Sequence, residues 1–332
     1  MELVLNTFGT MFNRDNDCFV VSNDGGRQRV PVEGISSILV CKGVSLTSDA
    51  VLLAIDKGIE IHFMDRKGSP MGMVWSHRFG SISTIRKGQL MFTQSSDALQ
   101  WIKGVIVKKV ENQQALLMMT MAAKEDASSV MIDHAIAHLD KYRNRLMAVD
   151  GDLIIDAARE LRGLEGISSK IYFDTINQTL PEQYRFKERS QHPAMDVANA
   201  LLNYGYGLLY GKVESGLIKA GIDPYIGVLH RDEYNRPVLV YDVIELYRVW
   251  IDYVVFSLLA QEVVTEDYYS LREDGSCWLE GLGRRVIIQS VNDYLDEVVT
   301  HEGINRSRGT LIDLYCQDLA QKFKHYHTGA SA

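Results

Sequence analysis

The apolar pattern of the chain changes period once, and that change limits its fold more than any single motif. Up to about residue 80 the apolar residues come in short runs, LVLNTF, CFVVSN, ISSILVCK, IEIHFMD and GMVW, separated by Asn, Asp, Gly and Lys-Gly turn signals, a pattern of β-strands. One helix interrupts them: Ser48-Asp49 caps the run AVLLAIDK, and Gly58 closes it in a left-handed conformation. From Asp97 onward the spacing turns helical, through LQWIKGVIVKKVENQQALLMMTMAAK, SSVMIDHAIAHLDKYRNRLMAV and DLIIDAARELRGLEGISSKIYFDTI. At 332 residues the chain also exceeds what one core usually holds. These features predict an α+β protein of two domains. A small β-rich domain covers residues 1–80, a linker covers 81–96 in the Ser-, Gly- and basic-rich stretch SHRFGSISTIRKGQLMFTQSS, and a larger, mostly α-helical domain covers 97–332.

The helical pattern continues in HPAMDVANALLNYGYGLLYGKVESGLIKAG, in a long helix expected over about 240–260, and in the closing amphipathic segment INRSRGTLIDLYCQDLAQKFKHY. Met118, Met119, Met121 and Met131 read as core filler of the helices that carry them. A net charge of -8 excludes a uniformly basic surface, so any nucleic-acid site must be local. Cys18, Cys41, Cys277 and Cys316 form no CxxC pair, which excludes a zinc ribbon and a dense disulfide framework and fits a reducing cytoplasm. Asp242, Glu245, Arg248 and Asp252 interrupt the most apolar helix, so no membrane span is expected, and the N-terminus shows no secretory pattern.

Three motifs carry no chemistry. Gly205, Gly207 and Gly211 are spaced one residue too long for the dinucleotide fingerprint, with no strand before them, and read as close helix packing. His134 and His138 stand one helical turn apart, but HAIAH lacks the glutamate of a zinc protease. No GxSxG elbow and no recognisable Cys-His spacing supplies a side-chain nucleophile. What remains is residues 221–247, GIDPYIGVLHRDEYNRPVLVYDVIELY. His230 follows the turn signals Asp223-Pro224 and Gly227, and Asp242 and Glu245 share one face near the start of a helix. An imidazole with carboxylates suits a hard divalent ion; the same acids also suit a solvated first helical turn. Glu165, expected to end a helical segment just before Gly166, is a further carboxylate that could project into a cleft.

The segments KKVENQQALL, GLEGISSKIYF, HPAMDVANALLNYGYGLLYG, GIDPYIGVLH and VYDVIELYR follow one another along nearly the whole chain. In this order they resemble the CRISPR-associated integrase family that captures spacers, the first of the numbered Cas proteins. The resemblance implies a β domain, taken as the dimerisation domain, ahead of an α domain. It also implies a site for Mg2+ or Mn2+ with Glu165, His230 and Glu245 as ligands and Asp242 as an acidic helper. The third ligand is often aspartate in the family, and Glu245 stands at that place. Carboxylate oxygens of Glu165 and Glu245 and a ring nitrogen of His230 are then expected to converge on one point.

The implied function is that of a metal-dependent DNA endonuclease and integrase of CRISPR adaptation. A 3′-hydroxyl of a short double-stranded DNA fragment attacks a phosphate at a repeat border of a CRISPR array, or water attacks in its place. Implied partners are a second copy in a homodimer, the second numbered Cas protein, and the repeat DNA. Basic residues placed to hold DNA are Lys187 and Arg189 beside Arg185, then Arg231 and Arg236 flanking His230, and Arg284-Arg285. The last pair is favoured because the family tends to be basic there. Arg66, Lys67 and Arg78 sit at loops of the β domain. A non-catalytic DNA-binding scaffold of the same fold is the alternative.

Overall fold

Alternating runs and tight turns build the first part of the computed structural model, which describes residues 2–35, 37–64, 70–74, 82–122, 128–230, 236–301 and 303–328. Arg66, Lys67, Arg78 and Arg231 lie outside the described residues. The chain divides into two units, Met1–Ile82 and Ser83–Ala332.

The first unit runs β1 (Glu2–Leu5), β2 (Met11–Asp15), β3 (Cys18–Asn23), β4 (Gly26–Pro31), β5 (Ser37–Cys41), β6 (Ser45–Leu46), α1 (Ser48–Asp56), β7 (Glu60–Met64) and β8 (Pro70–Met73). Among the described residues its strands form two four-stranded sheets, in the orders β1-β5-β7-β8 and β4-β3-β2-β6. In the first, β1, β5 and β7 are parallel, with α1 in the crossover from β5 to β7, and β8 adds antiparallel. In the second, alternation buries Phe12, Phe19 and Val30, with the rings of Phe12 and Phe19 4.8 Å apart. The sequence shows no signal for β2 and β4 because MFNRD and GRQRVP each bury a single residue, Phe12 and Val30, and pairing with β3 decides their place. The cap of α1 is Thr47, whose side chain accepts from the N–H of Ala50 at 3.4 Å, rather than Ser48-Asp49. Gly58, at φ +68, closes the helix as expected.

Across the boundary the chain continues as α2 (Ile82–Thr93), α3 (Ser96–Ala122), α4 (Ser128–Ala148), α5 (Ile154–Gln178), α6 (Val197–Lys219), α7 (Val238–Ile244) and α8 (Arg248–Ala260). The hairpin of β9 (Tyr269–Leu271) and β10 (Cys277–Leu279) follows, then α9 (Gly281–Asp296), the hairpin of β11 (Val298–His301) and β12 (Ile304–Ser307), and α10 (Arg308–Thr328). The expected linker over 81–96 is instead mostly α2. Its Ser and Gly content hides Ile85, Gln89 and Phe92, which recur at helical spacing and are all buried. The expected helix over 240–260 is two helices, α7 and α8. Met118 and Met119 are exposed rather than core filler, because the buried stripe of α3 runs through Ile102, Ile106, Val110 and Leu117; Met121 and Met131 do pack against the core.

Apolar residues surround α6, which lies against α7, α8, α9 and α10. A Cβ on Gly205 would stand 2.6 Å from Cγ2 of Ile251, so this glycine lets α6 and α8 approach. Among the described residues no helix is long and apolar enough to cross a membrane.

One buried polar cluster ties α5, α6 and α8 together. Tyr172 donates to Asp252 at 2.9 Å and Tyr206 donates to its other carboxylate oxygen, and all three residues are buried. Burial dominates the Asp252 carboxyl and pushes its pKa from the ordinary 3.8 up to about 6, against the tyrosine hydrogen bonds and the charges of Arg189 and Arg248. Because its folded pKa lies above its unfolded one, its contribution to stability is complete below about pH 4 and is lost as pH rises through about 6. Asp252→Asn removes this titration. The stability of the variant relative to wild type is therefore expected to rise between about pH 4 and pH 7, by up to about 3 kcal/mol, in melting curves taken across that range. A pH-independent difference would count against the assignment.

Candidate metal centre

Gly221, at φ +79, ends α6 and turns the chain into residues 222–230. Gln89 of α2 holds this segment: its amide nitrogen donates to the carbonyls of Asp223 and Ile226 at 2.8 and 3.0 Å, and its oxygen accepts from the N–H of Asp223 at 3.1 Å. Gly227 permits a tight curl, since a Cβ there would stand 2.3 Å from the carbonyl oxygen of His230. Asp242 of α7 lies fully buried inside the curl. One of its oxygens accepts from the N–H groups of Val228 and Leu229 at 2.6 and 3.2 Å; the other accepts from the N–H of His230 at 3.3 Å and from its ring Nδ1 at 2.8 Å. A carboxylate held this way orients the imidazole and leaves Nε2 as the ring nitrogen open to a ligand. Burial works against the charged imidazole, but the hydrogen bond and charge of Asp242, with Glu245 and Glu165 behind them, raise the pKa of His230 above its ordinary 6.5.

Glu165 does not end a helix. It sits inside α5, whose buried face continues past Gly166 through Ser168 and Tyr172 and outweighs the roughly 1 kcal/mol that a mid-helix glycine costs. Glu245 closes α7 at the bend before α8. The two carboxylates meet on the ammonium of Lys109 from α3: Nζ contacts Oε1 of Glu165 and lies 2.6 Å from Oε2 of Glu245. Oε2 of Glu245 is buried and lacks a hydrogen bond of good geometry, so the ammonium meets it as a charge rather than along a lone pair. Its Oε1 accepts from Nε of Arg248 at 2.7 Å; Arg248 also donates to the hydroxyl of Tyr210 at 2.7 Å and lies over the Tyr206 ring. Burial alone would raise the Glu245 carboxyl, but Arg248 and Lys109 pull it down to about 2. Burial likewise opposes the charge on Lys109, and Glu245 and Glu165 overcome it and raise its pKa.

The expected three-way convergence is therefore altered. The two carboxylates do converge, but on Lys109, and His230 turns one nitrogen to Asp242. Among the described residues no three His, Cys, Asp or Glu side chains stand close enough to hold an ion as arranged. The donor set nevertheless fits Mg2+ or Mn2+, because two carboxylates already face one cation beside an oriented imidazole. Of the basic candidates, Lys187, Arg284 and Arg285 are exposed. Arg189 is used inside the fold, donating to Asn199 and Asn203 and lying over Phe173, and Arg185 donates to the carbonyls of Leu180 and Gln178 at the end of α5. Motif reading leaves Lys109, Arg248 and Gln89 without roles. The available signal for Lys109 is its register, since it falls on the buried stripe of α3 between Ile106 and Val110.

Residues 3–293 match the family model described as CRISPR associated protein Cas1. The chain belongs to the Cas1 family. It is 29% identical over 331 residues to the CRISPR-associated endonuclease Cas1 1 of Archaeoglobus fulgidus, covering 96% of this chain and 95% of that one. Its fold is similar to a chain of a Cas6-RT-Cas1--Cas2 complex, with a TM-score of 0.72 and 20% identity; the likeness covers 99% of this chain but 35% of that longer one. It is also similar to a casposase bound to integration product, with a TM-score of 0.69, 22% identity and coverage of 99% and 96%. The Cas1 match takes in Lys109, Glu165, His230, Asp242 and Glu245 and ends inside α9.

Proposed function

We propose that this chain is a divalent-metal-dependent DNA endonuclease and integrase of CRISPR adaptation, with Glu165, Glu245 and Nε2 of His230 as ligands and Asp242 as the residue that orients His230. The observation that carries this reading is the pair of carboxylates brought from α5 and from the end of α7 onto one cation, beside an imidazole whose other nitrogen is bonded. Glu165, Glu245 and His230 would hold Mg2+ or Mn2+ there, and the ion would supply polarisation of a phosphodiester and offset the charge of the displacement. The side chains do the rest. Asp242 keeps Nε2 facing outward, Arg248 fixes the orientation of Glu245, and exposed Lys187, Arg284 and Arg285 hold phosphate. Arg284 and Arg285 stand near the start of α9, where the helix end already favours anions.

The attacking group is a 3′-hydroxyl of a short double-stranded fragment, and the acceptor is a phosphate at a repeat border; with water the same site cleaves DNA. The endonuclease name of the Archaeoglobus fulgidus relative supports a nucleic-acid substrate, and the integration product bound to the casposase supports joining. The chain acts as a homodimer through its β-rich unit and joins the second numbered Cas protein; its likeness to a chain of a complex that includes Cas2 supports the second of these. Four free thiols, at Cys18, Cys41, Cys277 and Cys316, suit a reducing cytoplasm.

Wild type is expected to join a duplex with free 3′ ends to a supercoiled plasmid carrying the repeat, in Mn2+ or Mg2+. His230→Ala and Glu165→Gln should lose at least about a hundredfold in joining. Equal joining and nicking by wild type and His230→Ala would show that the site lies elsewhere. A second reading, the non-catalytic DNA-binding scaffold, is favoured by the ammonium already lying between Glu165 and Glu245. It requires wild type to bind DNA and join none.

A further inference from the structure

We propose that Lys109 is a positioning residue that stands in for the divalent ion in the metal-free protein and makes ion loading depend on DNA phosphate. The inference rests on Glu165 and Glu245 being ligands. The Lys109 ammonium lies between their carboxylates, on a residue only 6% exposed. Two half-buried or buried carboxylates facing each other at this range repel unless a cation separates them. Lys109 thus keeps them in the facing arrangement that an ion needs, and by the same contact it occupies the ion's place. Lysine is suited to such a role, being a compact charge on a flexible stem that can withdraw. Arg248 is not, because its fork is fixed by Glu245, Tyr210 and the Tyr206 ring.

A count of charges gives the second argument. Glu165 and Glu245 are already balanced by Lys109 and Arg248 before any ion arrives. A divalent ion adds two positive charges while the displaced ammonium stays within reach on its buried stem, and Asp242, shared with His230, offsets at most one of the two. Excess positive charge among buried groups weakens ion binding, and a phosphodiester backbone supplies the missing negative charge. Ion and DNA therefore each strengthen the binding of the other, by the same factor.

The test measures Mn2+ affinity of the full chain by calorimetry, with and without a duplex whose 3′ ends are blocked, and the melting temperature of the metal-free protein. Lys109→Met is expected to melt about 5 °C or more below wild type without metal, and Lys109→Arg to restore that melting temperature. Without DNA, Lys109→Met should bind Mn2+ about tenfold more tightly than wild type, and it should gain less affinity when DNA is added. Mn2+ binding by Lys109→Met that is no tighter than that of a metal-binding wild type overturns the inference and leaves the proposed function standing. A wild type that neither binds Mn2+ nor joins DNA removes both. If Lys109→Met does not fold, the wild-type ammonium decides. Its 15N resonance, assigned with Lys109→Arg, should move on addition of Mg2+, and an unmoved resonance overturns the inference.

Discussion

A Glu245→Gln protein is expected to lose DNA joining by about a thousandfold or more at every Mn2+ concentration, whereas Asp242→Asn should lose about ten- to a hundredfold and recover part of it as Mn2+ is raised. The difference follows from what each acid touches. Glu245 presents Oε2, buried and without a well-aligned hydrogen bond, toward the cation shared with Glu165, so its loss removes an oxygen at the proposed ion. Asp242 spends both oxygens on the backbone N–H groups of residues 228–230 and on Nδ1 of His230. Its amide retains one acceptor oxygen and most of the shape, and a misdirected imidazole weakens metal binding without abolishing it. The measurement is a joining rate against Mn2+ concentration for both variants. Losses of equal size that respond alike to Mn2+ would contradict this division between ligand and orienting residue.

Asp242→Ala is expected to be the most destabilising single change among the site residues, by about 3 kcal/mol or more, even with no metal or DNA present. Alanine removes the acceptor that serves the N–H groups of Val228, Leu229 and His230 and the imidazole, inside a curl where Asp242 is fully buried. Gly227 leaves the curl no room to collapse onto the vacated space, since its own Cα already lies too close to the His230 carbonyl for a Cβ. Glu165→Gln should cost much less, because its side chain is partly exposed and an amide can still accept from Lys109. Urea unfolding of the metal-free variants makes the comparison. If Asp242→Ala is as stable as Glu165→Gln, then Gln89 and the backbone turn hold the segment without the carboxylate.

The candidate site was legible in part. His230, Asp242 and Glu245 stand in one stretch of sequence, and turn signals place the histidine just before a helix. Which acid does what was not legible, because Asp242 and Glu245 share a face in any continuous helix. Their partners are what separate them: Asp242 accepts from the backbone and ring of residues 228–230, and Glu245 meets Lys109 of α3. Glu165 was read at a helix end because Gly166 follows it, but packing of α5 overrides that local cost. The stretch over 81–96 was read as a linker from its Ser and Gly content, and Gln89 shows why composition misled. A polar residue serves the interior here, because its amide satisfies the backbone of residues 223–226.

The order of the two units, the change from strand to helix between them, and the set of acids and imidazole can all be read along the chain. These depend on local period and residue type, which neighbours along the chain decide. The meeting of Lys109 with Glu165 and Glu245, the hold of Asp242 on the loop and the ring of His230, and the place of α2 in the helical core arise from packing alone. Each of these joins residues far apart in sequence, through charges and hydrogen bonds whose strength comes from burial, and burial exists only once the helices are assembled.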